Sequence, residues 1–394
     1  MHNGNDRLLH RAAPLKGDLV KFRVERDQLA DAVAWAARTL PTRSNQPLLS
    51  GLLIEAQDGG LVLSSFDHEV SGRVETEAVV DEVGRVLVPG RLLSDIARAL
   101  PAQPVTVVVD GSRVTVTCGR STFTLPTMSV DDYPALPHMP TSAGVVAGPS
   151  FASAVAQVAV AASSDETISF LTGIRLEMTG PVITLAATDR YRLAVRELPW
   201  VPESQSIDAA ALVPARVLAD TAKTLAAQES VTIALAGSGQ DEALLGIHGG
   251  GRSTTTRLLG GEFPKYRTLL PAESNTVASV DTAALVEAVK RVSLVAERNT
   301  PVRLHFTGDE VSLTAGGGDD AQAVESLDAT VDGEAIDIAF NPRFLLDGLS
   351  VLEAPVVRFA FTVSNKPAVL AGAAERGADP SPEFRYLLMP VRVG

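Results

Sequence analysis

VLVPGRLLSDIARALP (residues 86–101), ALVPARVLADTAKTL (211–225) and IAFNPRFLLDGLSVL (338–352) are three versions of one pattern. In each, an apolar run meets a proline and a helix-periodic segment follows. The prolines are Pro89, Pro214 and Pro342, spaced by 125 and 128 residues. Proline suits the start of a helix, where its missing N–H would have had no intrahelical partner. Apolar residues then recur at helical spacing, as Leu92, Leu93, Ile96 and Ala97 in the first copy and Val217, Leu218 and Leu225 in the second.

Working outward, the same period returns. A second helical pattern opens each unit: RDQLADAVAWAARTL (26–40), PSFASAVAQVAVAAS (149–163) and DTAALVEAVKRVSLVAE (281–297). An alternating strand ending in aspartate comes next, as LVLSSFD to Asp67, ITLAATD to Asp189 and VSLTAGGGD to Asp319. Ordered markers at one period indicate a repeat. Between the helices the pattern is strand-like: PVTVVVDGSRVTVTCGRSTFTL (104–125) alternates around Asp110-Gly111, a hairpin signal. The 394 residues therefore divide into an extension over 1–18 and three domains over 19–140, 141–271 and 272–394. The expected fold class is α+β, with two helices per domain packed side by side on mainly antiparallel sheet.

Composition narrows the function. A hydrophobic fraction of 45% excludes intrinsic disorder. The single cysteine, Cys118, excludes a disulfide framework and reads as a small core residue in a strand. No apolar run reaches the roughly 18 residues of a membrane span, and residues 1–18 lack the apolar stretch of a secretory signal, so a cytoplasmic protein is expected. A net charge of −13 argues against tight phosphate binding. The six helical segments together carry +2, which leaves −15 for everything else. The helical segments are thus less acidic than the remainder, a segregation that mixed-charge solvated helix faces would also give.

Enzyme chemistry finds little support. His2, His10, His68, His138, His248 and His305 are dispersed, without metal-ligand spacing. GIHGGGRST (246–254) superficially suggests a phosphate loop, but it has Arg252 where lysine would stand and lies in a hairpin pattern. Asp131-Asp132 and Asp319-Asp320 are adjacent pairs whose side chains point apart. No catalytic residue, metal site or cofactor is expected.

VKFRVERDQL (20–29), TLPTRSNQPLLSGLLIE (39–55), VPGRLLSDIARALP (88–101), ATDRYRLAV (187–195), GEFPKYRTLLP (261–271) and YLLMPVRV (386–393) together resemble the bacterial DNA polymerase III β subunit, the sliding clamp, in its actinobacterial type. The resemblance covers residues 20–393, and its motifs are degenerate singly but specific in this order. It implies a head-to-tail homodimer of three-domain protomers. Such a ring encircles double-stranded DNA without sequence specificity and tethers the replicative polymerase as a non-catalytic processivity factor. The implied partners are the polymerase α subunit, the clamp loader, and other polymerases and repair proteins carrying short linear motifs, with no membrane. The implied location is the nucleoid.

The resemblance also implies sites. A peptide pocket between the second and third domains would use Phe170, Leu171, Thr188, Arg190, Tyr191, Arg192, Leu193, Pro264, Thr268, Leu269, Asn341, Phe344, Leu387, Met389, Pro390, Val391 and Arg392, with an apolar floor and arginines at its rim. Arg190-Tyr191 stands where relatives often carry Gly-His, and Thr268 where an arginine can stand, which alters the expected peptide preference. DNA-facing positions would be Arg43, Arg91, Arg98, Arg216, Lys223, Lys290 and Arg291. The protomer interface would place Phe123 and Leu125 against Leu294 and Val295, with Arg113 and Arg120 meeting Asp319, Asp320 or Glu325. For Phe123 and Leu294, ordinary core packing is an equal alternative.

Overall fold

Each of the three proline-marked patterns begins a helix directly from the end of a strand. In the computed structural model, which describes residues 19–41, 45–236, 243–271, 273–295, 300–316 and 321–392, the helices are α1 (Arg26–Ala36), α2 (Gly90–Ala99), α3 (Gly148–Ala159), α4 (Ala215–Leu225), α5 (Thr282–Val292) and α6 (Pro342–Ser350). Pro89 and Pro214 are the N-caps of α2 and α4, while Pro342 is the first residue of α6. The third repeat caps its helices with side chains. Asp281 accepts from the Ala284 N–H at 2.8 Å, and Asn341 accepts from the N–H groups of Arg343 at 3.0 Å and Phe344 at 3.4 Å. The helices pack in sequential pairs, α1 with α2, α3 with α4 and α5 with α6.

The described residues form two compact units, those within 1–139 and 250–255, and those within 140–249 and 256–394. In the first unit, an antiparallel sheet runs Val79–Glu82, Leu19–Val24, Val105–Asp110, Arg113–Cys118, Ser121–Pro126. Asp110 pairs with Arg113 across a two-residue turn at Gly111-Ser112. Gly111 adopts φ +54, which glycine tolerates without strain. A second sheet orders Gly84–Pro89, Gly51–Gln57, Gly60–Phe66 and Val70–Thr76. The core between helices and sheet holds Phe22, Leu29, Val33, Leu52 and Leu63, all essentially inaccessible, while Leu87 joins Leu53 and Tyr133 in a separate cluster. Each such side chain contributes roughly 1.5–3 kcal/mol by leaving water. Cys118 is buried there too.

The second unit is organised by a twelve-stranded antiparallel sheet. Its order is Asp208–Pro214, Gly173–Thr179, Val182–Thr188, Arg192–Pro199, Phe384–Leu388, Ala368–Ala373, Val356–Phe361, Thr276–Asp281, Gln322–Asp332, Glu310–Gly316, Val302–Thr307, Ile336–Phe340. Two joints in it connect different parts of the chain. Arg192–Pro199, from the second repeat, pairs with Phe384–Leu388, the last strand of the third, so that Leu193 lies opposite Leu387. The long strand Gln322–Asp332 changes partner along its length. Residues 329–332 pair with Thr276–Asp281, residues 322–328 with Glu310–Gly316. The first half therefore keeps one hydrogen-bonding edge without a partner strand among the described residues.

Candidate functional site

The register that sets Leu193 beside Leu387 creates an apolar floor shared by two repeats. Leu193 and Leu387 join Ala186, Val195, Leu212, Phe263 and Tyr266 in one buried cluster, with Phe170, Leu259, Leu270 and Val369 packed against it. Phe263 and Tyr266 come from the segment that links the second repeat to the third. Anchored by them, that segment forms a wall carrying Pro264, Thr268 and Leu269. Leu269 is 49% exposed, an open apolar surface directly beside the buried cluster.

The opposite side is the turn ATDRYRL. Asp189 accepts from the backbone N–H groups of Tyr191 and Arg192, each at 3.0 Å, and the Thr188 hydroxyl donates to the Arg192 carbonyl at 2.7 Å. Arg190 occupies the turn with φ +80, a left-handed conformation that costs a non-glycine residue roughly 1 kcal/mol. Its neighbour Tyr191 is thereby thrust outward, 57% exposed, and stacks on Phe344 with ring centroids 6.1 Å apart.

Arg192 is not a rim residue. It is buried, donates from Nε to Asp189 at 2.9 Å and from its terminal nitrogen to Asp347 at 2.6 Å, and lies 4.4 Å over the Phe344 ring. Burial works against its charge, but Tyr386, Asp347 and Asp189 outweigh burial and hold its pKa above the ordinary arginine value. Removing a carboxylate partner would leave an uncompensated buried charge. Of the arginines expected at the groove, Arg190 and Arg392 are exposed.

Beneath this lies Tyr386, whose hydroxyl donates to the Phe344 carbonyl at 2.8 Å and whose pKa burial pushes up. The helix above it can approach because residue 348 is glycine; a Cβ there would lie 2.4 Å from the Tyr386 ring. The C-terminal segment is fastened at two points. Met389 N–H donates to the Tyr191 carbonyl and Val391 N–H to the Ala339 carbonyl, both at 2.8 Å. Met389 is left 39% exposed between these ties.

Of the residues expected to form the pocket, Thr188, Arg192, Leu193, Leu171 and Leu387 are buried and build its floor and frame. Arg190, Tyr191, Thr268, Leu269, Met389 and Arg392 present exposed surface, while Phe170, Pro264, Asn341, Phe344, Pro390 and Val391 are intermediate. Asn341 uses its side-chain oxygen on the α6 cap. Sequence reasoning missed Asp189, Asp347, Gly348 and Tyr386. Asp189 was legible as a residue poised to close an Asx turn; the others become partners only across the fold.

The remaining sites are placed separately. Arg91, Arg98, Arg216, Lys223, Lys290 and Arg291 are exposed on or beside the helices, and Arg43 lies outside the described residues. Several are ion-paired: Arg98 with Asp95 at 2.9 Å, Lys290 with Glu287 at 2.8 Å and Arg291 with Glu325 at 2.5 Å. Glu325 is thus engaged within its own protomer. Arg113 and Arg120 are exposed, and Asp319 and Asp320 lie outside the described residues. Phe123 sits on the edge strand Ser121–Pro126 at 36% exposure, whereas Leu125, two residues on and covered by its sheet's core, is 1% exposed. Leu294 is 84% exposed and Val295 intermediate. The half-free strand Gln322–Asp332 adds Val324 at 63%, an exposed apolar residue sequence reading did not single out.

Comparison with known proteins matches this architecture repeat by repeat. Family models of the N-terminal, central and C-terminal domains of the DNA polymerase III beta subunit match residues 20–137, 146–265 and 267–392. The beta sliding clamp of Streptomyces coelicolor is 58% identical over 95% of this chain and 100% of its own length. That of Micrococcus luteus is 53% identical over 79% of this chain and 100% of its own. The solved sliding clamp of Pseudomonas aeruginosa bound to griselimycin has a TM-score of 0.87 at 26% identity, covering 95% of this chain and all of that one. With three consecutive domain matches in the order of its three repeats, the chain belongs to the DNA polymerase III beta subunit family, the beta sliding clamps, and to its actinobacterial type.

Proposed function

We propose that two copies of this chain join head to tail into a ring that encircles duplex DNA and tethers the replicative polymerase to it. Sliding clamps are processivity factors without catalytic activity, and the chain acts in that capacity. The observation that carries the reading is the groove built across the junction of the second and third repeats. Its apolar floor is Leu193 and Leu387, its walls are Leu269 and the Tyr191–Phe344 stack, and Met389 lies exposed in between. Such a surface suits a short apolar peptide: aromatic and leucine anchors gain burial, and the thioether adapts to different partners. The occupants are the polymerase α subunit, the loader that opens the ring, and other polymerases and repair proteins with linear motifs.

The remaining roles follow the chemistry of the surfaces. Edge strands with unpaired backbone groups and exposed apolar side chains associate readily. Ser121–Pro126 of one protomer and residues 322–328 of the next are such edges, with Phe123, Val324 and Leu294 as apolar contacts and Arg113 and Arg120 as supporting charges. Arg91, Arg98, Arg216, Lys223, Lys290 and Arg291 supply weak, non-specific attraction to phosphate, and retention rests on topology. The test is loading onto circular DNA. The protein should survive a high-salt wash on the closed circle and fall off once the circle is cut. Release indifferent to linearisation would leave a protein scaffold that does not encircle DNA.

A further inference from the structure

The wall of the groove has no strand of its own. Residues 258–271 cross the sheet of the second repeat as a single segment, with one short turn at Tyr266–Leu269. Two side chains, Phe263 and Tyr266, enter the apolar cluster; Lys265, Arg267, Thr268 and Leu269 remain exposed. The start of the segment is tied by the Leu258 N–H to the Ala243 carbonyl and the Leu259 N–H to the Leu212 carbonyl; at its turn, Tyr266 and Arg267 meet one carboxylate, Glu177, on the strand Gly173–Thr179.

Glu177 sits with its side chain 17% exposed at the centre of three donors. One oxygen takes the Arg175 Nε at 2.9 Å. The other takes the Tyr266 hydroxyl at 2.9 Å and the Arg267 guanidinium at 2.6 Å. Arg175 belongs to the same strand as Glu177, so it orients the carboxylate. Tyr266 and Arg267 belong to the wall, and they come immediately before Thr268 and Leu269, the residues that face the groove. Burial works to raise the Glu177 pKa, but the three donors outweigh it and hold the carboxyl below its usual range. Burial, and after it the same contact with Glu177, pushes the Tyr266 hydroxyl upward. The Arg267 guanidinium lies 4.8 Å over the Tyr266 ring, which closes the cluster.

An apolar cluster alone permits a segment to slide or rock, because burial is not directional. Hydrogen bonds to a fixed carboxylate are directional and charge-assisted. A cavity of about 550 Å³ runs between Arg175, Glu177 and the wall from Gly261 to Thr268, so packing does not clamp the wall from that side. We infer that Glu177 is a positioning residue for partner binding: it touches no ligand, and it sets the groove's width by holding Tyr266 and Arg267. This rests on the groove reading above.

The test uses the full-length dimer and a synthetic peptide spanning the clamp-binding segment of the polymerase α subunit. Glu177→Ala should weaken peptide affinity about tenfold or more, with the dimer intact. Glu177→Gln, whose carbonyl still accepts from the wall, should stay within about threefold of the unaltered protein. In hydrogen exchange, the Thr268 amide, bonded to the Lys265 carbonyl at 3.1 Å, should lose protection in Glu177→Ala and regain it in Glu177→Gln. Unchanged affinity or unchanged protection in Glu177→Ala would overturn the inference, as would a Gln variant as impaired as Ala. Deleting Met389 through Gly394 in the same assay separates the two claims. If that deletion also leaves peptide affinity intact, the groove assignment fails; if it abolishes binding while Glu177→Ala does not, only the positioning role fails.

Discussion

Arg192 and Gly348, both buried, show how much of the groove is decided by residues behind its surface. Arg192 ties the turn at Asp189 to the third repeat at Asp347 and carries Phe344 on its guanidinium face. Gly348 lets α6 close on Tyr386, whose hydroxyl holds the Phe344 carbonyl. Replacing Gly348 with alanine drives a methyl group into a ring that is 0% exposed and has nowhere to go. Overpacking of this kind costs roughly 1–3 kcal/mol. Gly348→Ala should lower the thermal midpoint by several degrees and weaken peptide binding together; an unchanged midpoint would mean that α6 shifts freely. Neither residue stands out in the sequence, where Gly348 reads as an ordinary weak spot in a helix. Its need arises only when a side chain 38 positions downstream, Tyr386, is brought against it.

At the scale of elements, the informative strand is Gln322–Asp332. Residues 329–332 pair with Thr276–Asp281, whereas residues 322–328 have no partner strand on that edge among the described residues. Sequence alternation gives the strand but not which half is covered, because coverage depends on where Thr276–Asp281 stops. Val324, on the uncovered half, and Leu294, in the turn Ser293–Val295, are exposed apolar residues at 63% and 84%. The double variant Val324→Asp with Leu294→Asp should sediment as a monomer while retaining its fold, since a carboxylate buried in an apolar contact without a partner is strongly unfavourable. A dimer that survives both changes would place the protomer contact elsewhere. Leu125, by contrast, is closed into the core of its own unit, and an aspartate there would unfold that unit rather than separate protomers.

For the molecule as a whole, three of the four tyrosines are held by burial, one in the first unit and two in the second. Tyr133 receives the Phe66 N–H at 2.8 Å, and desolvation pushes its hydroxyl from 10.0 up to about 12. Tyr266 and Tyr386 are pushed in the same direction, chiefly by desolvation. A raised folded pKa means that the stabilising term is fully present below about pH 10 and falls as pH rises through the folded value. Stability should therefore decline steeply above pH 10, and the phenolate absorbance of three tyrosines should appear together with unfolding. Ionisation of these three well before the loss of secondary structure would contradict their placement in the two cores.

The sequence by itself determined the repeat, the pairing of helices and the α+β class. These follow from local rules: period, proline at helix starts, alternation and turn chemistry act over a few residues and recur wherever the pattern does. Tertiary structure alone decided which residues face outward. It buried Arg192 between two carboxylates, closed Leu125 into a core, left Val324 bare on half a strand and gave Glu177 three donors from two chain segments. Each of these depends on the distance between groups far apart in the chain. That distance is set by register and packing, which no local pattern encodes.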